Sequence, residues 1–315
     1  MSIKIGVLGC SSIARRMVIP AIKESDKFIL AGIASRDKKK STDWANHFDT
    51  MAFDYSELLN SDVDAIYVSV PVGLHYKWGK QVLQYNKHLL MEKTFTETFS
   101  QGKELFNLSS DLGLACMEAL MYQYHPVQEQ IGLCIKNIGS IKHLEAHFGF
   151  PHFADKSDIR YSKHLGGGAS LDSLIYPLSF VFRILGTDYT DYKASVYYDE
   201  NSGVDERGYI HVEYPSATAC ITYGFGHSYR NEIAVWGENA IIRTKRAFTR
   251  PKNCAAPIQI WSNNECFDIE PVHSDHFVDM LEVFSDNIKT LNNNSKDTLT
   301  RIRFIEKILN PKGER

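Results

Sequence analysis

The chain has few cysteines and none in CxxC spacing. The six, Cys10, Cys116, Cys134, Cys220, Cys254 and Cys266, are scattered through 315 residues. That usage excludes a disulfide framework and a cysteine zinc site, and it is the pattern of reduced cytoplasmic thiols. Charge of one sign is also lacking. The net charge is −3 at neutral pH, which argues against a nucleic-acid partner held by bulk charge. No apolar run reaches the roughly 18–20 residues that a membrane span needs, so no membrane partner is expected. The N-terminus goes straight into a strand, so no signal peptide is expected and the expected location is the cytoplasm. The 12 histidines show no HxxxH or similar spacing, and no metal is expected. Internal repeats and low-complexity tracts are missing. Asn292-Asn293-Asn294-Ser295 is the one polar run and reads as a loop between helices.

What is present is ordinary for a globular chain, at 43% hydrophobic and 23% charged residues, and the length suggests about two domains. Ile3, Ile5, Val7 and Leu8 make a short apolar run that reads as a buried strand. Gly9 follows at once, and a helix start follows Gly9, with Ser11 and Ser12 as capping hydroxyls. A strand, a glycine turn and a helix N-terminus aim backbone N–H groups at one spot that favours an anion. The dinucleotide fingerprint wants Gly, Gly and Gly/Ala at positions one, three and six. Here they are Gly9, Ser11 and Ala14, with a serine where the second glycine lets backbone approach a pyrophosphate.

Strand-like and helix-like segments then alternate to about Glu118. The strands are Phe28–Ala34, Ala65–Val70, His88–Met91 and Leu114–Met117, with helices such as Tyr76–Tyr85 and Thr96–Leu112. Alternation of this kind means parallel strands with helices on both faces, and ligands beyond the carboxyl ends of the strands. Pro20 should kink the first helix or split it in two. The second strand ends in Ser35-Arg36, where an NAD site would carry an acid for the ribose 2′-hydroxyl. Arg36 suits a 2′-phosphate instead, with Lys38, Lys39 and Lys40 behind it, and the cofactor read from this is NADP(H).

From Ser140 onward the pattern has period two, in Lys142–Phe150, Asp191–Tyr198, Tyr209–Tyr214, Ala217–Phe225, Glu232–Trp236 and Ala240–Arg243. This predicts an antiparallel sheet with one face buried. One helix over Ala169–Leu185 would cover a face, and helices over Asp275–Leu291 and Lys296–Leu309 close the chain. The expected class is α/β: a Rossmann doubly wound parallel sheet over residues 1–121, then an α+β domain with a large, mainly antiparallel open sheet over 122–315. The open face of that sheet suits a homodimer or homotetramer.

Four further stretches carry chemistry. They are Pro71-Val72-Gly73-Leu74-His75, Met91-Glu92-Lys93-Thr94, Met117-Glu118-Ala119-Leu120-Met121 and Gly166-Gly167-Gly168-Ala169-Ser170-Leu171-Asp172-Ser173-Leu174-Ile175-Tyr176. With the fingerprint they resemble, in order and spacing, the glucose–fructose oxidoreductase / inositol dehydrogenase (Gfo/Idh/MocA) family over essentially the whole chain. The family's Glu-Lys-Pro stands here as Glu92-Lys93-Thr94. Its Asp-x-Gly-x-Tyr/His stands as Asp172-Ser173-Leu174-Ile175-Tyr176. The lost proline and glycine alter the local backbone but leave both reactive side chains. The resemblance implies Lys93 as the catalytic lysine and Tyr176 as proton donor or acceptor. It implies Gly9, Ser11, Ser12, Ile13, Ser35, Arg36, Pro71, His75, Glu92 and Lys93 at the cofactor.

Elementary chemistry agrees with the pairing. Asp172 and Tyr176 are four apart and would share a helix face. A phenol titrates near pH ~10 and is a poor proton source near neutrality. An ammonium about 4 Å away is worth up to ~4 kcal/mol at an effective dielectric of ~20, enough to bring it into range. Asp172 either bonds a substrate hydroxyl or sets the tyrosine's proton. His75 is a candidate for the nicotinamide face, with a capping histidine as the alternative. Arg160, in Asp158-Ile159-Arg160-Tyr161, is a candidate substrate contact, with a surface salt bridge as the alternative. Several stretches look like one family branch, bacterial ketoreductases acting on nucleotide-linked deoxysugars: Gly9–Ala14, Ile33–Arg36, Asp158–Tyr161 and Phe225-Gly226-His227-Ser228-Tyr229. The substrate implied is a sugar, with a nucleotide-linked 3-keto-deoxysugar first. Arg160, His227 and Arg230 are available for its diphosphate, and Tyr161 and Tyr229 for stacking. A free-sugar or trans-dihydrodiol dehydrogenase, and a non-catalytic NADP-binding regulator, remain alternatives.

Overall fold

The computed structural model describes residues 2–155, 157–293 and 295–311; Asn294, in the expected polar loop, lies outside them. The chain forms two compact units, Met1–Met121 with Phe277–Arg303, and Tyr122–His276 with Phe304–Arg315.

The first unit alternates β1 (Ile3–Leu8), α1 (Ile19–Glu24), β2 (Phe28–Ala34), α2 (Lys38–Phe48), β3 (Ala52–Phe53), α3 (Tyr55–Asn60), β4 (Ala65–Val68), α4 (His75–Gln84), β5 (His88–Glu92), α5 (Phe99–Asp111) and β6 (Cys116–Ala119). Its six strands lie in the order β3-β2-β1-β4-β5-β6, all parallel. That is the doubly wound order, with its switch point between β1 and β4. The strands are buried on both faces, which is why they read as unbroken apolar runs. The first helix is split as Pro20 requires. A widened π-helical turn over Ala14–Val18 comes first, and Pro20 sits in the opening turn of α1. β3 went unread because two residues carry no period. α5 starts three residues late because Thr98, not Thr96, caps it, taking the Gln101 N–H at 3.4 Å.

The second unit begins with α6 (Val127–Ile135) and β7 (Ile141–Phe150). The expected single helix over Ala169–Leu185 is two, α7 (Ala169–Asp172) and α8 (Ile175–Leu185), and the chain bends by 46° between Lys163–Asp172 and Ile175–Leu185. Pro177 is the cause: it lacks an N–H for the Ser173 carbonyl and its ring crowds that carbonyl. Strands β8 (Asp191–Tyr198), β9 (Asp205–Glu213), β10 (Thr218–Phe225), β11 (Arg230–Gly237), β12 (Ile241–Lys245), β13 (Ile258–Ser262) and β14 (Glu265–Ile269) follow. With β7 they form one sheet, ordered β14-β13-β12-β11-β7-β10-β9-β8. The β7–β10 pair at its middle is parallel and the others are antiparallel. β13 and β14 were not read from the sequence; they are short and half exposed, with no clear alternation. α8 lies on β7 and β10.

The closing helices are α9 (His276–Thr290) and α10 (Ser295–Leu309). The sequence reading left all of 122–315 in the second domain, yet residues 277–303 join the first unit. Their buried partners explain this. Phe284 stacks on Phe28 at 6.0 Å, and the Cys116 N–H donates to Asn293 Oδ1 at 2.8 Å.

Candidate functional site

In the first unit the site is built at the carboxyl ends of β1, β2, β4 and β5. Gly9 has φ +107°, and a Cβ there would stand 2.5 Å from the Ser69 carbonyl oxygen, so the turn closes only on glycine. Ser11 takes the second glycine's place. Its Oγ accepts the Ala14 N–H at 3.1 Å and hydrogen-bonds the Ser69 hydroxyl. Ser12 is exposed and Ile13 half-buried at the same turn. Ser35 is buried, and its Oγ accepts the Asp37 N–H at 3.1 Å, while Arg36 is exposed. Beside them lies a cavity of about 430 Å³ lined by Arg15, Asp37, Lys39, Lys40, Asp43 and Trp44. The Arg15 and Lys40 cations stand 5.6 and 5.7 Å over the Trp44 ring. Arg15 and Trp44 were not named from the sequence, where Arg36 and the lysine run behind it were the signal.

Lys93 follows β5. The segment that carries it is held by buried side chains. Glu92 accepts the Tyr67 hydroxyl and the Lys93 N–H, the latter at 3.2 Å. Burial pushes the Glu92 carboxyl above its usual range, against the Tyr67 hydrogen bond and the Lys93 charge. The Lys93–Thr94 peptide is cis. The Phe95 N–H donates to Glu118 Oε1 at 2.9 Å, and Arg301 of α10 donates to Glu118 Oε2 at 2.6 Å. His75 is fully buried. Its Nδ1 lies 3.0 Å from the Thr94 carbonyl and its Nε2 2.8 Å from the Val70 carbonyl. It therefore braces the end of β4 against the Lys93 segment, and burial lowers its pKa. Pro71 opens a single 3₁₀ turn, Val72–Leu74. Glu118 stands in the Met117–Met121 stretch, where the sequence gives it no role; Arg301, 183 residues away, has no sequence signal.

In the second unit Tyr176 is in the first turn of α8 and almost wholly buried. Its ring lies 4.8 Å from Phe148, 6.0 Å from Tyr122 and 6.2 Å from Phe248. The shared helix face expected for Asp172 and Tyr176 is not there, because the break at Ser173 puts them on different helices. Asp172 is held another way: Arg160 Nε donates to its Oδ2 at 2.6 Å. Arg160 NH1 also reaches Asp158 Oδ1 at 3.1 Å, and the guanidinium lies 4.4 Å over Phe153. Both neighbouring carboxylates raise the Arg160 pKa against the opposing effect of burial. Arg160 is thus a two-acid clamp, as the salt-bridge alternative had it. Tyr161 is buried, its ring covered by Phe153 and Phe225. Tyr229 is exposed, its hydroxyl bonded to Thr249 Oγ1 at 2.9 Å. Among the described residues no group of three or more His, Cys, Asp or Glu is placed to hold a metal ion.

Comparisons with known proteins agree over both units. A model for an oxidoreductase family with an NAD-binding Rossmann fold matches residues 3–120, and one for the GFO/IDH/MocA C-terminal domain matches residues 136–243. The chain is 35% identical over 263 residues to dTDP-3,4-didehydro-2,6-dideoxy-alpha-D-glucose 3-reductase of Saccharopolyspora spinosa, covering 82% of this chain and 79% of that one. It is 32% identical over 260 residues to D-xylose 1-dehydrogenase (NADP(+)) 2 of Haloferax volcanii, covering 80% and 79%. Among solved structures it is similar to KijD10, a 3-ketoreductase from Actinomadura kijaniata in complex with NADP and TDP-benzene. The TM-score is 0.94 at 28% identity, over 98% of this chain and 97% of that one.

Proposed function

Because the chain belongs to the GFO/IDH/MocA oxidoreductase family, we propose that it reduces the 3-keto group of a nucleotide-linked deoxysugar with NADPH. The observation that carries this is the likeness, over nearly the whole chain, to a 3-ketoreductase bound to NADP and a TDP ligand. The residues present fit a phosphorylated dinucleotide. The Gly9 turn admits no side chain, and the groove beside Ser35 and Arg36 carries Arg15, Lys39 and Lys40 against Asp37 and Asp43. Gly9, Ser11, Ser12 and Ile13 would hold the pyrophosphate on backbone donors. Ser35 and Arg36 would hold the 2′-phosphate. Pro71, Glu92 and Lys93 would form the nicotinamide end, braced by His75.

Bound NADPH supplies the hydride for the carbonyl carbon. Tyr176 gives its phenolic proton to the carbonyl oxygen, and Lys93 supplies the positive charge that eases its loss. Asp172, kept as a hydrogen-bond acceptor by Arg160, takes a sugar hydroxyl.

A cytoplasmic location would suit the six free thiols. A homodimer or homotetramer would cover the sheet face opposite α8. Strand register puts Tyr197, Tyr209, Trp236 and Trp261 together on it, each exposed by 42–45%.

The test follows nicotinamide absorbance with keto-sugar nucleotides and free sugars. Oxidation of NADPH by a nucleotide-linked 3-keto sugar is expected. Arg36→Asp should erode or reverse the preference for NADPH over NADH. The xylose dehydrogenase relative favours a second reading, a free-sugar dehydrogenase; turnover of free sugars alone would establish that instead.

A further inference from the structure

A nucleoside diphosphate needs a cation, and one end of the second sheet collects several. β7 and β10 run parallel and finish at that end; β11 starts there and β12 finishes there. Arg160, His227, Arg230 and Arg246 stand on the loops and strand starts at this end. Most of the charge is already taken. Arg160 is clamped by Asp158 and Asp172. Arg230 Nε donates to Glu232 at 2.5 Å, and Arg207 lies 3.8 Å from Glu206. His227 is kept toward the neutral form by burial first, then by Arg207 and His152. Arg250 is buried against the carbonyls of Cys254 and Ala256. Lys245 pairs in register with Glu232, on the sheet face away from α8.

Arg160, Arg230 and Arg207 thus each have an ion pair with a carboxylate, Arg250 is buried on carbonyls, His227 is kept toward neutral and Lys245 is on the other face. Arg246 is an exposed guanidinium at this end that, among the described residues, has no ion pair with a carboxylate. Its surroundings form a rigid frame. The Arg246 N–H donates to the Asn231 carbonyl at 2.6 Å. The guanidinium lies 4.4 Å over the Tyr229 ring. Asn231, buried, donates from Nδ2 to the Tyr229 hydroxyl at 3.0 Å and to Thr249 Oγ1 at 2.8 Å. Its Oδ1 takes the Phe248 N–H at 3.0 Å. Phe248 is itself a ring neighbour of Tyr176 at 6.2 Å. The Tyr229–Arg246 stack therefore belongs to the same face of the sheet as Tyr176, two hydrogen bonds and one ring contact away. A guanidinium held over a ring face makes that contact without using its N–H donors, and two of those donors match two phosphate oxygens.

We propose that Arg246, stacked on Tyr229, is the diphosphate-binding cation of the substrate site. The inference rests on the nucleotide-linked reading above. Arg246 takes phosphate oxygens bidentately, the Tyr229 ring supports the guanidinium, and Asn231 holds both. This replaces Arg160, His227 and Arg230 as the diphosphate contacts.

Thymidine diphosphate is the probe, with binding followed by calorimetry in the presence of NADPH. Arg246→Met should bind it about tenfold to a hundredfold more weakly than wild type, the effect of losing a charged hydrogen bond. The KM for a keto-sugar nucleotide should rise by a similar factor, while kcat and NADPH affinity stay unchanged. Arg246→Lys, with charge but no fork, should fall between. Equal thymidine diphosphate affinity in wild type and Arg246→Met overturns this inference and leaves the nucleotide-linked reading standing. A wild type that does not bind thymidine diphosphate at all overturns that reading, and this inference with it.

Discussion

Tyr176 is a phenol fixed by rings, and this packing separates its shape from its chemistry. Phe148, Tyr122 and Phe248 hold the ring and would hold phenylalanine as well. Tyr176→Phe should therefore keep the fold and NADPH affinity while kcat falls by about 10²–10⁴-fold, the usual worth of a general acid. Lys93→Met should cut turnover to a similar extent. Stopped-flow reduction with NADPH titration checks both, and full activity in Tyr176→Phe removes its role. The sequence singles out both residues as candidates because each stands in a short ordered motif. Arg160's double clamp was not legible. Its partners are 2 and 12 residues away, and only the folded loop decides whether a guanidinium meets acid or ligand. His75 likewise stood between two readings in the sequence, the nicotinamide face or a capping histidine. A histidine next to a strand end looks the same in sequence whether its ring points out or, as here, into the carbonyls of Val70 and Thr94.

At the scale of elements, periodicity found the long strands and helices and lost the breaks. Ala169–Leu185 reads as one amphipathic helix because apolar spacing continues across Ser173. Pro177 was visible, but its effect four residues upstream was not weighed. α10 shows the opposite case: the helix was read correctly and its destination was not. Arg301 and Glu118 form an ion pair whose side chains are 5% and 2% exposed, joined by Thr298 Oγ1 at 3.3 Å. Removing one partner strands a buried charge, at a cost of about 3–5 kcal/mol. Arg301→Met should lower the urea midpoint accordingly. It should also lower kcat more than NADPH affinity, because Glu118 holds the Phe95 N–H two residues after Lys93. Arg301→Lys should recover part of both. A midpoint within experimental error of wild type would show that the pair adds nothing to stability.

For the molecule as a whole, pH is the condition to which buried chemistry answers together. His125 and His276 are both buried in the second unit, their rings 6.1 Å apart. Burial first, and then the nearby Arg250 charge, brings the His125 pKa down to about 4. Burial and the His125 ring bring that of His276 down to about 3. An unfolded chain protonates both near 6.5. Above that pH the two states bind the same protons and stability is full. Below it the unfolded state takes up protons that the folded state refuses, so stability falls as pH falls, by about 1.4 kcal/mol per pH unit for each histidine. The loss continues until the folded values are reached, near 4 and 3. Urea midpoints at pH 7.5 and pH 5 measure the effect. The double variant His125→Gln, His276→Gln should lose much less stability across that interval than wild type does. Other titrating groups, common to both proteins, cancel in the comparison. Equal losses in the two proteins would mean that neither histidine is kept neutral by the fold.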